Sequence, residues 1–404
     1  MSENYRCENK WWVSPYNYLS EVVAARKQPA KVIIHDATLR DGEQTPGVVF
    51  RKEHKLILAK ALDKVGVDRI EAGMPAVSEE DFQAVREIAA LGLNAKIFSF
   101  ARAMKEDIDK AVECGVNGVV IEAPIGYPKL LYQFNWTWED VARRSAPVIN
   151  YAKSKGLYSV FFPYDTTRAR EEDLDALLNF IMKESLPDSI GLVDTMGCAT
   201  PEAISYLTKK FIEITGLPVE VHTHNDFGMA VATELAAVGA GASVVHSCVN
   251  GLGERTGNAA LEELVFALDL LYGAKTDCDY VALKDLSNLV VELSGIPLAR
   301  NKPIVGEENY TRESGIGANL VVEQPLAMFA IHPELVGRKG KVVLGKKSGR
   351  LSILYKLKEL NLDYLNEEEI SSVLFEVKKL GSEHRRLISD AEFISIVEKI
   401  RTLK

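Results

Sequence analysis

One rhythm recurs along most of this 404-residue chain: a short β-forming run is followed by an amphipathic helical run, eight times between Lys31 and Gly273. Eight β/α units over about 250 residues are the length expected of a (β/α)8 barrel, an α/β fold also called the TIM barrel. The predicted strands are Val32–His35, Arg69–Glu71, Lys96–Ser99, Gly118–Glu122, Ser159–Phe162, Ser189–Val193, Val219–His222 and Ser243–Cys248.

Helix-start signals support this alternation. Ser78-Glu-Glu-Asp81 is typical of a capping box, and Thr200-Pro201 places a capping hydroxyl before a proline at the first helical position. Pro147 interrupts the helical run after the fourth strand, so we expect that helix to start late or to kink.

The chain is predicted to have three regions. Residues 1–30 form an N-terminal extension, 31–275 the catalytic (β/α)8 barrel, and 276–404 smaller, mostly helical C-terminal accessory or dimerisation subdomains. With 47% hydrophobic and 26% charged residues, the chain can bury a full core. The tail from 366 to 404 is charged and amphipathic, which favours packing or a dimer surface over a ligand site.

Charge and cysteine content narrow the class of protein. The net charge is -9 and no long basic run occurs, which argues against nucleic-acid binding. No apolar stretch approaches the length of a membrane span, roughly 20 residues. The cysteines form no close pair, and an odd number of them, 5, predicts reduced thiols and a cytoplasmic location.

Two histidines stand at the end of the seventh predicted strand. Residues i and i+2 of a strand point to the same face, so His222 and His224 present a pair of imidazoles that could bind a metal ion. Two nitrogens do not make a metal site by themselves, and a pair of surface or core histidines is the alternative interpretation.

A second polar cluster follows the first predicted strand, in the segment Asp36–Gln44. It contains Asp41, a possible third ligand, and Arg40, which stays charged and could stabilise an oxyanion. The alternative is a solvated loop with a salt bridge, but that does not explain why both polar clusters fall at strand ends.

A barrel places strands one, seven and eight side by side. Asp41, His222, His224 and Asn258 can therefore converge on one ion, and a carboxylate, two imidazoles and an amide suit a divalent cation with open positions for substrate. This ligand set does not choose between Mg²⁺, Mn²⁺ and Zn²⁺.

Three motifs resemble those of the isopropylmalate/homocitrate synthase family, metal-dependent barrel enzymes related to hydroxymethylglutaryl-CoA lyase. They are 36–44 (DATLRDGEQ), 222–228 (HTHNDFG) and 250–258 (NGLGERTGN), with further matches at 70–75 (IEAGMP) and 193–201 (VDTMGCATP). The resemblance runs from about Lys31 to Arg350. Residues 345–350 (GKKSGR) resemble the family's accessory-domain motif, with Lys347 where histidine is usual.

The resemblance implies a Claisen-type condensation of acetyl-CoA, the co-substrate, with a 2-oxo acid, followed by thioester hydrolysis to a 2-hydroxy-2-alkyl dicarboxylate. One divalent metal ion would chelate and polarise the 2-oxo acid. In this scheme Arg40 holds the developing negative charge and Thr195 binds the substrate carboxylate. Glu71, Glu254 and Gln44 would order the site, although a structural ion pair is an equal alternative for the two glutamates.

Four further residues belong to the expected substrate pocket. Arg102 is expected to contact substrate. In the unusual loop after strand four, Tyr127 and Lys129 could shape an altered pocket, with Lys129 facing a distal anionic group, although plain packing of the aromatic side chain is equally compatible. Tyr164 replaces the family's usual glutamate, and a pocket wall is favoured over a proton donor. Gly317 stands where a histidine is usual, so the acid/base group is open.

Two other functions remain compatible with the motifs. One is a C–C lyase of the hydroxymethylglutaryl-CoA lyase type, but that enzyme has a cysteine in its glycine loop and 251–257 has none. The other is a non-catalytic metal-binding protein or regulator, but Arg40 and the metal set are intact. The short length favours a homocitrate-synthase-like form. The resemblance also implies a homodimer in which the segment 310–317 covers the partner's barrel mouth.

Overall fold

The computed structural model describes residues 4–402. Residues Pro15–Leu298 form one compact unit, and the remaining described residues, 4–14 and 299–402, form a second. The domain boundaries expected after residues 30 and 275 stay predictions, and the outermost residues of the predicted extension and tail, 1–3 and 403–404, lie outside the described residues.

The first unit is built on a closed barrel of eight parallel strands. Each strand pairs with its neighbour in chain order, and β8 closes the barrel by pairing with both β7 and β1. The predicted (β/α)8 fold is therefore confirmed. The strands are β1 Ile33–Asp36, β2 Arg69–Glu71, β3 Lys96–Arg102, β4 Gly118–Pro124, β5 Tyr158–Tyr164, β6 Ser189–Asp194, β7 Val219–Thr223 and β8 Val244–Ser247.

The middle strands extend further than the sequence pattern indicated. β3 continues to Arg102 and β5 to Tyr164, because their carboxyl ends keep parallel pairing with β4 as far as Arg102↔Glu122 and Pro124↔Tyr164. The predicted strands ended at Ser99 and Phe162, before these residues. They lie at the mouth of the barrel, where polar side chains on strands are expected to form a site.

A helix follows each strand. The apolar face of each helix packs toward the sheet, as in α1, where Leu58, Leu62 and Val65 are buried. Within the described residues no helix is both long and apolar enough to cross a membrane. The helices are α1 Lys52–Val65, α2 Glu79–Ala89, α3 Lys105–Cys114, α4 Trp138–Ser154, α5 Glu171–Glu184, α6 Pro201–Thr215, α7 Ala230–Ala240, α8 Leu261–Ala267 and the additional α9 Tyr280–Ser294.

Two predicted helix caps are present, and one expected late start is wrong. Ser78 Oγ accepts the Asp81 N–H at 3.1 Å and Thr200 Oγ1 accepts the Ala203 N–H at 3.3 Å. Helix α4, by contrast, begins at Trp138 and includes Pro147. A capping box between Thr137 and Asp140 starts the helix well before the proline. Burial of one helix face compensates for the backbone hydrogen bond that Pro147 cannot donate.

The barrel interior has an apolar half and a polar half. Phe98, Val120, Val160 and Phe162, from β3, β4 and β5, form one buried cluster. Glycines make room for its rings, since a Cβ at Gly191 would lie 2.1 Å from Phe162 Cδ1. The other half, on β1, β2, β7 and β8, carries the buried polar side chains of His35, Glu71, Glu220 and His246.

The second unit is mostly helical, as expected for the C-terminal region. Its main helices are α10 Arg350–Glu359, α11 Glu367–Glu383 and α12 Asp390–Thr402. They share a core that includes Ile353, Val373 and Phe393. Two small sheets complete it: Thr311–Arg312 pairs in parallel with Lys341–Val342, and Arg6–Cys7 pairs in antiparallel fashion with Trp11–Trp12.

Candidate active site

A polar cavity of about 180 Å³ opens at the carboxyl ends of the barrel strands. This is the end at which (β/α)8 barrels carry their functional residues. The sequence-predicted residues among those that line it are Arg40, Asp41, Gln44, Lys129, Tyr164, Thr195, His222, His224 and Glu254. Tertiary structure therefore brings together segments that are separated by more than half of the chain.

Asp41 and the two histidines form the centre of this site. His222 Nε2 lies 3.2 Å and His224 Nε2 lies 3.8 Å from Asp41 Oδ2. All three side chains are buried, and their possible ligand atoms lie within 4.8 Å of one another. Three ligand atoms at this spacing, from a carboxylate and two imidazoles, suit one divalent cation.

The ionisation states also suit a cation. Burial lowers the pKa of His222, and burial lowers that of His224 to about 4, so both imidazoles are neutral at pH 7 with a lone pair available. Burial alone would raise the pKa of Asp41, but Arg40 and the two histidines hold it well below its usual range. The site therefore presents one carboxylate anion and two neutral nitrogen donors.

Two buried oxygens at this site have no hydrogen-bond partner: Asp41 Oδ1 and Asn258 Oδ1. The amide nitrogen of Asn258 is held by donating to Leu252 O at 3.1 Å, which leaves its oxygen as a free acceptor. Gly253 permits this approach, because a Cβ there would lie 2.2 Å from Asn258 Nδ2. Orphaned buried acceptors are costly, and a bound cation would satisfy both, so these residues fit a metal ion.

Arg40 is fixed between two carboxylates. Its Nη1 donates to Asp41 Oδ2 at 3.0 Å, and its Nε donates to Glu71 Oε1. Its guanidinium also stacks on Phe100, 4.1 Å from the ring centroid. Burial would raise the pKa of Glu71, but Arg40 and the hydrogen bond with His35 lower it to about 2. Arg40 is thus a preorganised cation directly beside the predicted metal ligands.

A second buried group, which no sequence motif indicated, lies below the site and consists of His35, Glu220 and His246. His35 Nε2 lies 3.0 Å from Glu71 Oε2, and His246 Nε2 lies 3.1 Å from Glu220 Oε2. The two rings stack with centroids 4.1 Å apart and planes within 7°. Lone pairs in parallel ring planes do not converge on one ion, so this group is a hydrogen-bonded network that supports Glu71.

Some sequence-predicted residues lie away from the polar cavity. The side chain of Glu71 is fully buried beneath Arg40, so it supports the site without lining it. Arg102 is half exposed, makes paired hydrogen bonds with Asp107 at 2.8 and 2.9 Å, and lines a neighbouring pocket instead. Tyr127 lies under the guanidinium of Arg170, 3.7 Å from its ring centroid, which fits the packing alternative for that tyrosine.

Four other predicted residues line the polar cavity and differ in whether their polar groups are already paired. Thr195 Oγ1 accepts the Asp165 N–H at 2.7 Å, so its own proton is available to a ligand. Lys129 makes no ion pair within residues 4–402. Burial raises the pKa of Tyr164, which makes it a poor proton donor and fits a wall. Glu254 is more than half exposed and pairs with Arg255 at 3.1 Å, which fits the ion-pair alternative.

Glu122 is a cavity residue that the site prediction omitted. It lines the polar cavity and both neighbouring pockets, one of which also contains Arg102 and Tyr164. Burial raises its pKa to about 7, so it changes charge near neutral pH. Its position at the end of a barrel strand was the only sequence signal that could have identified it.

A closed parallel barrel that gathers a carboxylate, two neutral histidines and an arginine at its carboxyl ends defines the class: a (β/α)8 barrel protein with a candidate divalent-metal site. The chain belongs to the HMGL-like family, whose profile matches residues 31–290, within its isopropylmalate/homocitrate synthase branch. Residues 304–385 match a second profile, described as homocitrate synthase post-HMGL domain-like.

Two similar proteins align with this chain over nearly its whole length. Homocitrate synthase AksA of Methanopyrus kandleri is 42% identical over 383 residues, which cover 95% of this chain and 96% of that one. A probable 2-isopropylmalate synthase of Ignicoccus hospitalis is 44% identical over 375 residues, covering 92% and 93%. The solved HMG-CoA lyase of Bacillus subtilis has a TM-score of 0.61 at 21% identity, over 69% of this chain and 98% of that one, which supports the barrel fold alone.

Proposed function

We propose that this protein is an acyltransferase that condenses acetyl-CoA with a 2-oxo acid and then hydrolyses the thioester, giving a 2-hydroxy-2-alkyl dicarboxylate. The observation that carries the proposal is the grouping of Arg40, Asp41, His222 and His224 around one cavity. Similar proteins named homocitrate synthase, 2-isopropylmalate synthase and (R)-citramalate synthase support this reaction class.

Each residue has a defined part in this reaction. Asp41, His222, His224 and Asn258 hold the divalent ion, Mg²⁺, Mn²⁺ or Zn²⁺, which supplies Lewis-acid polarisation of the 2-oxo acid when bound. Arg40 places a fixed cation where negative charge grows on the carbonyl oxygen. Thr195 donates a hydrogen bond from its hydroxyl group to a substrate carboxylate oxygen.

The side chain of the 2-oxo acid is proposed to enter the neighbouring pocket of about 310 Å³, which shares Glu122 and Tyr164 with the polar cavity. Its wall includes Trp136, and the guanidinium of Arg144 lies 4.3 Å from that ring's centroid. Arg144 makes no ion pair within residues 4–402. An apolar wall with an unpaired cation suits a methylene chain that ends in a carboxylate.

The test is release of free coenzyme A from acetyl-CoA, followed with a thiol reagent, in the presence of pyruvate, 2-oxoisovalerate, 2-oxoglutarate or 2-oxoadipate. We expect release that depends on a 2-oxo acid and on a divalent cation, with the highest kcat/KM for an acid that carries a second carboxylate. Preference for pyruvate would disprove the side-chain assignment but not the condensation. Absence of release with all four acids would disprove the condensation.

The lyase alternative is tested in the same assay with 3-hydroxy-3-methylglutaryl-CoA as substrate. The resemblance associates that reaction with a cysteine in the glycine loop, and the cysteine adjacent to this loop is Cys248. Its thiol is fully buried, and burial raises its pKa well above the usual range. An unreactive thiol at this place favours the synthase, so we expect no cleavage of this substrate.

Glu122 is proposed as a proton-transfer group in place of the histidine that Gly317 lacks. A carboxyl with a pKa of about 7 is mostly protonated below that pH and mostly ionised above it. If its ionised form accepts a proton, kcat rises with pH through about 7, and Glu122→Gln loses this limb together with roughly 10²–10⁴ of the rate. Tyr164→Phe is the control, because it alters the same wall and keeps the carboxyl. An unchanged pH profile in Glu122→Gln would exclude the role.

Gly317 itself cannot easily accept the family's histidine. Its φ is +70°, a backbone conformation that side chains rarely adopt, and a Cβ there would lie 3.1 Å from Met328 Sδ. The proton is therefore expected to move through another group or an ordered water. The homodimer with the covering segment 310–317, and the cytoplasmic location, remain proposals that rest on the family resemblance and the cysteine content.

A further inference from the structure

The second unit contains a pocket of about 760 Å³ that is rich in basic side chains and is lined by none of the residues assigned to the proposed reaction. Small-molecule sites commonly have volumes of roughly 300–1,000 Å³. We call this site the basic pocket, and the residues used here are Arg300, Glu313, Lys346, Lys347, Arg385 and Arg386.

Two pairs of basic residues from distant parts of the chain are fastened together by backbone contacts. Ile388 N donates to Leu344 O at 2.8 Å, and both side chains are buried in the core of the second unit. Lys346 and Lys347 follow one end of this bridge, and Arg385 and Arg386 precede the other end. The fold therefore holds the backbone of these four basic residues close together, so their proximity does not depend on chance contacts between flexible side chains.

Close packing against helix α11 fixes the backbone under Lys346. A Cβ at Gly381 would lie 2.7 Å from Lys346 N and 3.0 Å from Gly345 C, so only glycine allows the helix to touch this turn. Within the turn, Gly345 N donates to Ser348 Oγ at 2.9 Å, and Ser348 N donates to Gly345 O at 3.1 Å. A rigid turn reduces the entropy that is lost when a ligand binds.

The acidic residues around the pocket already have cationic partners. The pairs are Lys347 with Glu313 at 3.4 Å, Arg300 with Glu308 at 2.6 Å and Arg386 with Glu392 at 2.6 Å. Glu313 also accepts the Lys347 N–H at 3.0 Å. Lys346 and Arg385 have no carboxylate partner within residues 4–402, so two positive charges remain uncompensated.

We propose that the basic pocket binds a phosphorylated small molecule with two or more negative charges. Arg385 offers a planar guanidinium and Lys346 a compact ammonium, the two side chains that most often bind phosphate. The whole chain has a net charge of -9, so a cationic pocket is a local departure that would attract such an anion. Coenzyme A and free nucleoside polyphosphates share this chemistry.

The test is isothermal titration calorimetry of the full-length protein with inorganic pyrophosphate at low and at moderate NaCl. We expect saturable binding of one pyrophosphate per chain that weakens with salt. Lys346→Glu and Arg385→Glu should each raise the Kd by about tenfold or more, because each removes a charged hydrogen-bond donor. Lys379→Glu is the control, since Lys379 is an exposed lysine of α11 with no described ion pair and does not line the pocket.

Two further arms identify the source of the phosphate, with coenzyme A and ATP as probes. If the variants weaken coenzyme A binding and raise the KM for acetyl-CoA, the pocket serves the co-substrate. If they weaken ATP binding alone, it serves a separate effector. No saturable pyrophosphate binding, or binding that the Lys346 and Arg385 variants leave unchanged while their thermal unfolding matches the wild type, would overturn the proposal. Binding is measured directly, so the outcome does not depend on the proposed condensation.

Discussion

Replacement of Arg40 by alanine is expected to lower kcat by roughly 10²–10³-fold, the usual loss when one preorganised donor to a developing oxyanion is removed. Arg40 is held by Asp41 and Glu71 and stacks on Phe100, so its guanidinium needs no rearrangement when charge appears beside it. Because it is expected to act on charge that grows in the transition state, kcat should fall far more than the KM for the 2-oxo acid rises. Steady-state kinetics with saturating metal measure both.

Arg69→Ala provides a matched control for the loss of a buried ion pair. The side chains of Arg40 and Arg69 are each 10% exposed, and each pairs with a fully buried glutamate, Glu71 or Glu220. Arg69 does not line the polar cavity. Both variants should lose stability, but only Arg40→Ala should lose kcat. An equal loss of kcat in the two variants, or a rise in KM with kcat unchanged in Arg40→Ala, would contradict the assigned role.

Removal of His224, a proposed metal ligand, is expected to have an equally large effect. His224→Ala should lose the bound divalent ion and reduce activity by more than roughly 100-fold, since changing even the outer partners of metal ligands commonly costs about 10–100-fold. The physical reason is that Asp41, His222 and the neutral amide of Asn258 leave too few strong donors for tight binding. Metal content by elemental analysis, and activity before and after chelation and refilling with Mg²⁺, Mn²⁺ or Zn²⁺, measure this.

His54→Ala is the control for the histidine variant. His54 lies on α1, outside the polar cavity, and like His224 has a buried Nδ1 without a partner. We expect it to retain one ion per chain and full activity. If His224→Ala also retained its ion and its turnover, the group formed by Asp41, His222 and His224 would not be the metal site.

Local pattern located all eight barrel strands and most residues of the candidate metal site, although it ended β3 and β5 too early. The predicted second strand, Arg69–Glu71, has the observed bounds, because it is a buried run between clear helical segments. His222 and His224 share a face through the two-residue period of a strand. Asp41 joins them because a closed barrel puts β1 and β7 on either side of β8. The amino-acid sequence therefore predicts both the positions of the motifs and the topology of the barrel.

The contacts and ionisation of the residues that surround this site could not be predicted from local pattern. His35 and His246 stack because β1 and β8 pair with His35 opposite His246, a register that depends on barrel closure. The pKa of Glu122 near 7 is a consequence of its burial at the barrel mouth. The pairing of Arg102 with Asp107 likewise places this residue at the neighbouring pocket and not at the polar cavity.

By itself, the amino-acid sequence determined the alternation of strands and helices, the polar positions at strand ends and the residue types of the candidate metal site. Those properties depend on side-chain period and residue chemistry, which are local. Only the tertiary structure decided which polar groups share a cavity, which carboxylates are already neutralised and where unpaired cations such as Lys346 and Arg385 remain. Those properties depend on distance and burial between segments far apart in the chain, because electrostatic interactions and desolvation act through space.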